Sequence, residues 1–328
     1  MISRRALALA LAMPALAACA PEAGPAADGA AYERVVSLAP GLTELVFAAG
    51  AGDTLVGVSA YSDYPPPARE LPVVGDAFTV DRERLALLEP DALFVWESGT
   101  PAHVVQELEA AGFTVEVLRT RQLADIAAAL RRIGTLTGRE AAAAAAADAF
   151  RARLARLEAE HAGLAPVSVF YQVARRPLYT INGEHYVSEL IGLCGGRNVF
   201  ADLAQLAPTV DVEAVVARDP EAMLASDEAG TEAFTEWQRW PALAANRYGN
   251  HFLVPADEIG RATPRVAAAA AVICAALETA RARRAAAAGR ADGSPSQDRL
   301  RSQSTSLPDS ARASTRAQTK SRSDSRFR

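Results

Sequence analysis

The sequence predicts an α/β protein: two Rossmann-like lobes with parallel sheets, joined by one long rigid helix. Three observations carry that prediction. Short β-branched runs alternate with longer helical ones along most of the chain, which is the pattern of a parallel sheet with helical crossovers. Residues 139–162 contain no glycine or proline and are rich in alanine, so they read as one uninterrupted helix of about 36 Å. The chain also repeats itself across that helix. Thr79, Val80, Asp81, Glu83, Pro90 and Ala92 return 130 residues later as Thr209, Val210, Asp211, Glu213, Pro220 and Ala222.

Taken in order, residues 34–38 read as a strand and Thr43 to Ala51 as a helix opened by a threonine cap. A strand at 55–58, a Pro-rich loop at 63–68 and a helix at 81–88 follow. Next come a strand at 92–96, a helix at 101–111, a strand at 114–118 and a helix at 123–136. After Pro166 the alternation resumes and runs to Ala282. The expected organisation is an N-terminal lobe over 34–138, the connecting helix and its exit over 139–165, and a C-terminal lobe over 166–284.

The two ends differ from this body. Arg4 and Arg5 precede a short apolar run that closes at Leu16-Ala17-Ala18-Cys19. The run is too short to span a bilayer, which takes about 20 residues. Residues 1–18 therefore read as a cleaved lipoprotein signal, with Cys19 as the lipidated new N-terminus. No other stretch is long and apolar enough to cross a membrane, so the expected protein is held to a membrane through its lipid. Residues 19–33 read as a flexible tether. From Ala285 to 328 serine, arginine and small residues dominate, so this segment is expected to be a disordered tail. If Cys19 carries lipid, Cys194 and Cys274 remain, and export favours a disulfide between them over two free thiols.

No catalytic motif stands out. The sequence lacks a Gly-x-Ser-x-Gly elbow, a phosphate loop and a His-Glu-x-x-His helix, and no histidine or cysteine cluster has metal-ligand spacing. The reading is a non-enzyme without cofactor or nucleic-acid partner. A cleft between the lobes is the expected ligand site. Trp96 closes a strand, where ligands gather in open α/β sheets. Tyr61, Phe78, Tyr179 and Tyr186 are available as further aromatic walls. His185 enters a second-lobe helix that should face the cleft, as a rim hydrogen-bonder or a metal ligand. Glu83 and Glu213 occupy equivalent first-turn positions, where a carboxylate also complements the helix dipole.

These residues resemble the helical-backbone class of ABC-importer solute-binding proteins, which carry vitamin B12, haem or ferric siderophores. The resemblance covers about residues 33–282. It rests on residues 34–50 (RVVSLAPGLTELVFAAG), 58–66 (VSAYSDYPP), Glu83-Arg84, Cys194-Gly195-Gly196 with Asn198 and Phe200, and 261–265 (RATPR). It implies a monomer that captures a corrinoid and delivers it to an inner-membrane permease, with Cys194 and Cys274 disulfide-bonded. It also implies that Tyr61 and Trp96 line the cleft, that Asp257 and Arg261 close it from the second lobe, and that Glu83 and Glu213 dock on permease arginines. Three further aromatic positions of the corrinoid cleft fall on Ala77, Ala207 and Val173, with Phe78 beside the first. The alternative ligand within the class is haem or a ferric siderophore, met by Arg261, Arg265 or His185. From other classes, the alternatives are a metal-tetrapyrrole-handling enzyme or a structural lipoprotein.

Overall fold

A computed structural model describes residues 31–76 and 79–292. The expected signal, Cys19, most of the tether, Phe78 and the chain beyond 292 lie outside the described residues. The first lobe contains β1 (Val35–Ser37), α1 (Pro40–Ala48), β2 (Leu55–Val58), α2 (Arg82–Leu88), β3 (Ala92–Trp96), α3 (Ala102–Ala110), β4 (Val115–Leu118) and α4 (Leu123–Thr137). The helix α5 (Glu140–His161) follows. The second lobe contains β5 (Val167–Gln172), a small antiparallel hairpin of β6 (Ala174–Arg175) and β7 (Leu178–Tyr179), α6 (Tyr186–Leu193), β8 (Gly196–Asn198), α7 (Val212–Arg218), β9 (Ala222–Ser226), α8 (Ala244–Tyr248), β10 (His251–Val254), α9 (Ala256–Ile259) and α10 (Val266–Asp292).

Each lobe is built on a four-stranded parallel sheet. The orders are β2-β1-β3-β4 and β8-β5-β9-β10. The two are the same order, since β5, β8, β9 and β10 stand where β1, β2, β3 and β4 do. The sequence repeat falls on the α2-β3 and α7-β9 units, down to the backbone angles. Asp81 and Asp211 cap α2 and α7 by accepting from the N–H groups of Arg84 and Ala214. Glu89 and Asp219, 130 residues apart, end these helices at φ of 43° and 41°. That left-handed conformation is uncommon outside glycine, so its recurrence marks one unit used twice.

The lobes share a core. Val35, Leu42, Phe94, Ile126 and Leu130 of the first lobe belong to the same apolar cluster as Val169, Leu190, Leu224 and Ile273 of the second. The α5 residues Ala143, Ala147, Phe150 and Leu154 lie between them, on one buried stripe with helical spacing. α4 comes close to α5 because position 134 is glycine. A Cβ there would stand 2.4 Å from that of Ala143, well inside contact distance. Cys194, at the end of α6, is disulfide-bonded to Cys274 of α10, with Cα atoms 4.7 Å apart.

Two expectations need correction. The first helix starts at Pro40, not at Thr43. Proline's fixed φ suits the first helical turn, and the Thr43 hydroxyl instead donates 3.0 Å to Ser37 Oγ. The C-terminal segment is also not irregular from Ala285, because α10 runs on to Asp292. Residues 285–288 are four alanines in a row, and alanine is the strongest helix former. Arg281, Arg283 and Arg284 pin the preceding turn to the carbonyls of Ala165, Gly249 and Pro166.

Candidate functional site

The carboxyl ends of β1 and β3 and the N-terminus of α1 face α6 and the α9-α10 loop across a cavity of about 340 Å³. Its floor is the first turns of α1 (Pro40, Leu42, Leu45). Tyr61 and Trp96 come from the first lobe. His185, Tyr186, Gly260, Arg261 and Ala262 come from the second. An outer chamber of about 560 Å³ adjoins it through Tyr61, Gly260 and Arg261, and is walled by Asp227, Glu228, Pro255 and Asp257. Ligands of open α/β sheets sit at such carboxyl ends.

One buried carboxylate ties the lobes together beneath this cleft. Glu44 of α1 has a side chain only 2% exposed. Its partners come from the second lobe: Arg261 Nη1 at 2.8 Å, Thr263 Oγ1 at 3.1 Å and Arg265 Nη1 at 3.3 Å. Arg261 also donates to Asp63 Oδ1 at 2.7 Å and to the Tyr61 carbonyl at 3.1 Å. The net effect on Asp63 is a carboxyl held below its usual range. Partial burial opposes that, and the Arg261 guanidinium outweighs it. Across the cleft, Tyr186 N–H donates to the Arg121 carbonyl, and Glu189 Oε2 accepts from the first N–H of α4.

Tyr61 is held by its backbone and free in its ring. Its φ is 65°, a strained setting for an aromatic residue. The next side chain, Ser62, is buried with its hydroxyl 3.0 Å from that of Thr43. Tyr61 is 83% exposed and lines the cleft. Trp96 is set differently. Its Nε1–H is buried with no acceptor among the described residues, so packing alone fixes the indole. The ring lies on Gly99, where a Cβ would fall 2.0 Å from Cε3 and 2.4 Å from Cζ3.

His185 is the N-cap of α6, and its Nδ1 accepts from Val187 N–H at 3.2 Å. Burial lowers its pKa to about 4, so the ring is neutral near pH 7. With Nδ1 accepting, the single proton belongs on Nε2. His185 therefore offers a hydrogen-bond donor and no free lone pair. Among the described residues no group of histidine, cysteine and carboxylate side chains is arranged to hold a metal ion.

The structure thus gathers Tyr61, Trp96, His185 and Arg261 around one cavity, with Asp257 on its outer wall. It does not bring Tyr179 there; that residue sits in the β6-β7 hairpin and bridges to Thr209. Phe78 lies outside the described residues. Glu83 and Glu213 are both exposed in the first turns of α2 and α7. Leu42, Leu45, Asp227 and Glu228 were not anticipated. The signal for the two leucines was the turn from β1 into α1 at a sheet's carboxyl edge. That for the two acids was their place directly after β9, where Asp227 follows its last residue as Glu97 follows β3.

A sequence profile of the periplasmic binding protein family matches residues 35–257. The chain belongs to that family. Among curated relatives, the vitamin B12-binding protein of Vibrio cholerae is 36% identical over 249 residues, covering 76% of this chain and 90% of its own length. The vitamin B12-binding protein of Photorhabdus laumondii is 35% identical over 75% of this chain and 88% of its own. The crystal structure of the V. cholerae periplasmic vitamin B12-binding protein BtuF superposes with a TM-score of 0.70 at 35% identity, covering 76% of this chain and 98% of that one. A periplasmic haem-binding protein from Pseudomonas aeruginosa superposes at 0.64 with 26% identity, over 75% and 92%. No helix among the described residues is long and apolar enough to cross a membrane.

Two predictions follow from the cleft's geometry. Gly99→Ala displaces the Trp96 indole. In ligand-free protein labelled with fluorotryptophan, the Trp96 fluorine resonance shifts while those of Trp237 and Trp240 stay; an unmoved Trp96 signal refutes the contact. Second, between about pH 6.5 and 4 the unfolded chain takes up a proton at position 185 that the folded chain refuses. His185 thus favours folding fully above that window and loses this contribution as pH falls through it. His185→Asn keeps a capping oxygen and should flatten the urea-unfolding stability between pH 6.5 and 4.

Proposed function

We propose that this protein captures a corrinoid of the vitamin B12 type in the cleft between its lobes and delivers it to the permease of an ABC importer. The observation that carries the reading is the cavity itself. It is apolar-floored and walled by Tyr61, Trp96 and Tyr186, in a chain 36% identical to a vitamin B12-binding protein over 90% of that protein's length. Aromatic walls suit a large, flat, largely apolar ring with a polar periphery. His185, presenting Nε2–H, suits an acceptor on that periphery. The haem reading of the same class is less well supported, because His185 spends Nδ1 on its helix cap and keeps its proton on Nε2.

In this reading the protein is a monomeric, non-catalytic carrier of the periplasm, held to the membrane by lipid on Cys19. The corrinoid is cargo, and no resident cofactor is needed. Glu83 and Glu213, exposed at equivalent places on the two lobes, dock on cationic groups of the permease. Such charge pairs chiefly set orientation and association rate.

Calorimetric titration with cyanocobalamin should give one site with a dissociation constant of about 1 µM or tighter, and haem in parallel should bind more weakly. Trp96→Ala or Tyr61→Ala should weaken cobalamin binding about tenfold to a hundredfold, as loss of an aromatic anchor does. Haem binding without cobalamin binding would reverse the assignment. Glu83→Ala with Glu213→Ala should leave cobalamin affinity unchanged and abolish pull-down of the permease; retained pull-down would remove the docking role.

A further inference from the structure

We infer that the cleft selects ligands whose periphery is carboxamide and rejects tetrapyrroles and iron chelates whose periphery is carboxylate. This rests on the corrinoid reading above and makes it narrower. A ligand carboxylate entering a partly dry cleft needs a cation that is not already spent. Among the described residues lining the two chambers, Arg261 is the one guanidinium. Its Nη1 is held by Glu44 at 2.8 Å and Asp63 at 2.7 Å, and its Nη2 by the Tyr61 carbonyl at 3.1 Å. These contacts hold the lobes together, so turning Arg261 toward a ligand would leave Glu44 buried with weaker compensation. Arg265 is not a substitute. It is engaged by Glu44 and lies 4.1 Å over the Tyr64 ring, on a different face of the loop.

The other polar groups point the same way. His185 carries no charge near neutral pH, yet it can donate to an amide oxygen. Asp227, Glu228 and Asp257 line the outer chamber, where their oxygens can accept from amide N–H groups. Amides therefore find both donors and acceptors, whereas a carboxylate finds three like charges and a neutralised arginine. Because the three acids are exposed, their repulsion is screened by salt over a Debye length of about 8 Å at physiological ionic strength.

The test uses one corrin ring in two forms: dicyanocobinamide, with carboxamide side chains, and dicyanocobyrinic acid, with carboxylates in their place. At low salt the wild-type protein should bind the amide form about a hundredfold more tightly, the scale of close like-charge contacts. That gap should narrow about tenfold in Glu228→Gln/Asp257→Asn, or for wild type at about 0.5 M salt. Asp227 is left in place because its Oδ1 accepts from Ala256 N–H. Retained cobinamide binding shows that the variant is folded. Equal affinity of wild type for the two corrins overturns the inference and leaves the corrinoid reading standing. So does a gap that neither the variant nor salt reduces. Failure of wild type to bind either corrin while it binds cyanocobalamin overturns this inference alone; failure to bind cyanocobalamin as well overturns the corrinoid reading, and this inference with it.

Discussion

The arrangement of this molecule depends on where a single carboxylate is buried. Glu44 sits in the first helix of the first lobe, almost wholly out of water, and a charge there is tolerable only if it is paired and hydrogen-bonded. Its partners Arg261, Thr263 and Arg265 all come from the loop leading into the last helix. That requirement folds the loop across the lobe boundary, fixes the Tyr61 carbonyl from behind and roofs one side of the cavity. It also engages both terminal nitrogens of Arg261, which lines the cavity. The arginine that the sequence places at the cleft is also a strut between the lobes.

The two lobes show how one supersecondary unit was used twice and then made to do different work. Capping aspartates and left-handed helix ends coincide at an offset of 130 residues, and the strand order is the same in both sheets. At the carboxyl ends of the matching strands they diverge. β3 ends in Trp96 and β9 in Ser226, followed by Glu97 and Asp227 respectively. Glu97 is tied up by Arg121, while Asp227 opens onto the outer chamber. The symmetric parts carry packing and the exposed first-turn acids, and the asymmetric parts build the site.

Much of the fold was legible because its signals are local. The strands at 55–58 and 92–96 and the long helix follow from β-branched runs, alanine content and the absence of breakers. Thr43 misled because a threonine ahead of an apolar run is a common cap, and only the three-dimensional neighbourhood of Ser37 and Ser62 gives it another use. The extension of α10 past Ala285 was hidden by averaging its alanines with the serine-rich sequence that follows. Within the site, Trp96 and His185 could be placed by their position at element ends. Tyr179 could not be excluded, because a two-residue hairpin that turns it toward Thr209 leaves no pattern in the sequence. The commitment of Arg261 was equally invisible, since its partner lies 217 residues away.

The unbroken core through α5 bears on traffic at the membrane. Ala143, Ala147, Phe150 and Leu154 belong to the same apolar cluster as both sheets, and closing one lobe on the other would have to shear it. On this reading a filled carrier and an empty one present Glu83 and Glu213 at nearly the same spacing. A permease that recognises only those two carboxylates would then accept either. Empty carriers would occupy the same landing place as loaded ones, and uptake would follow the loaded fraction of the carrier pool rather than its total amount. Expressing more carrier at fixed cargo would at some point slow import instead of speeding it.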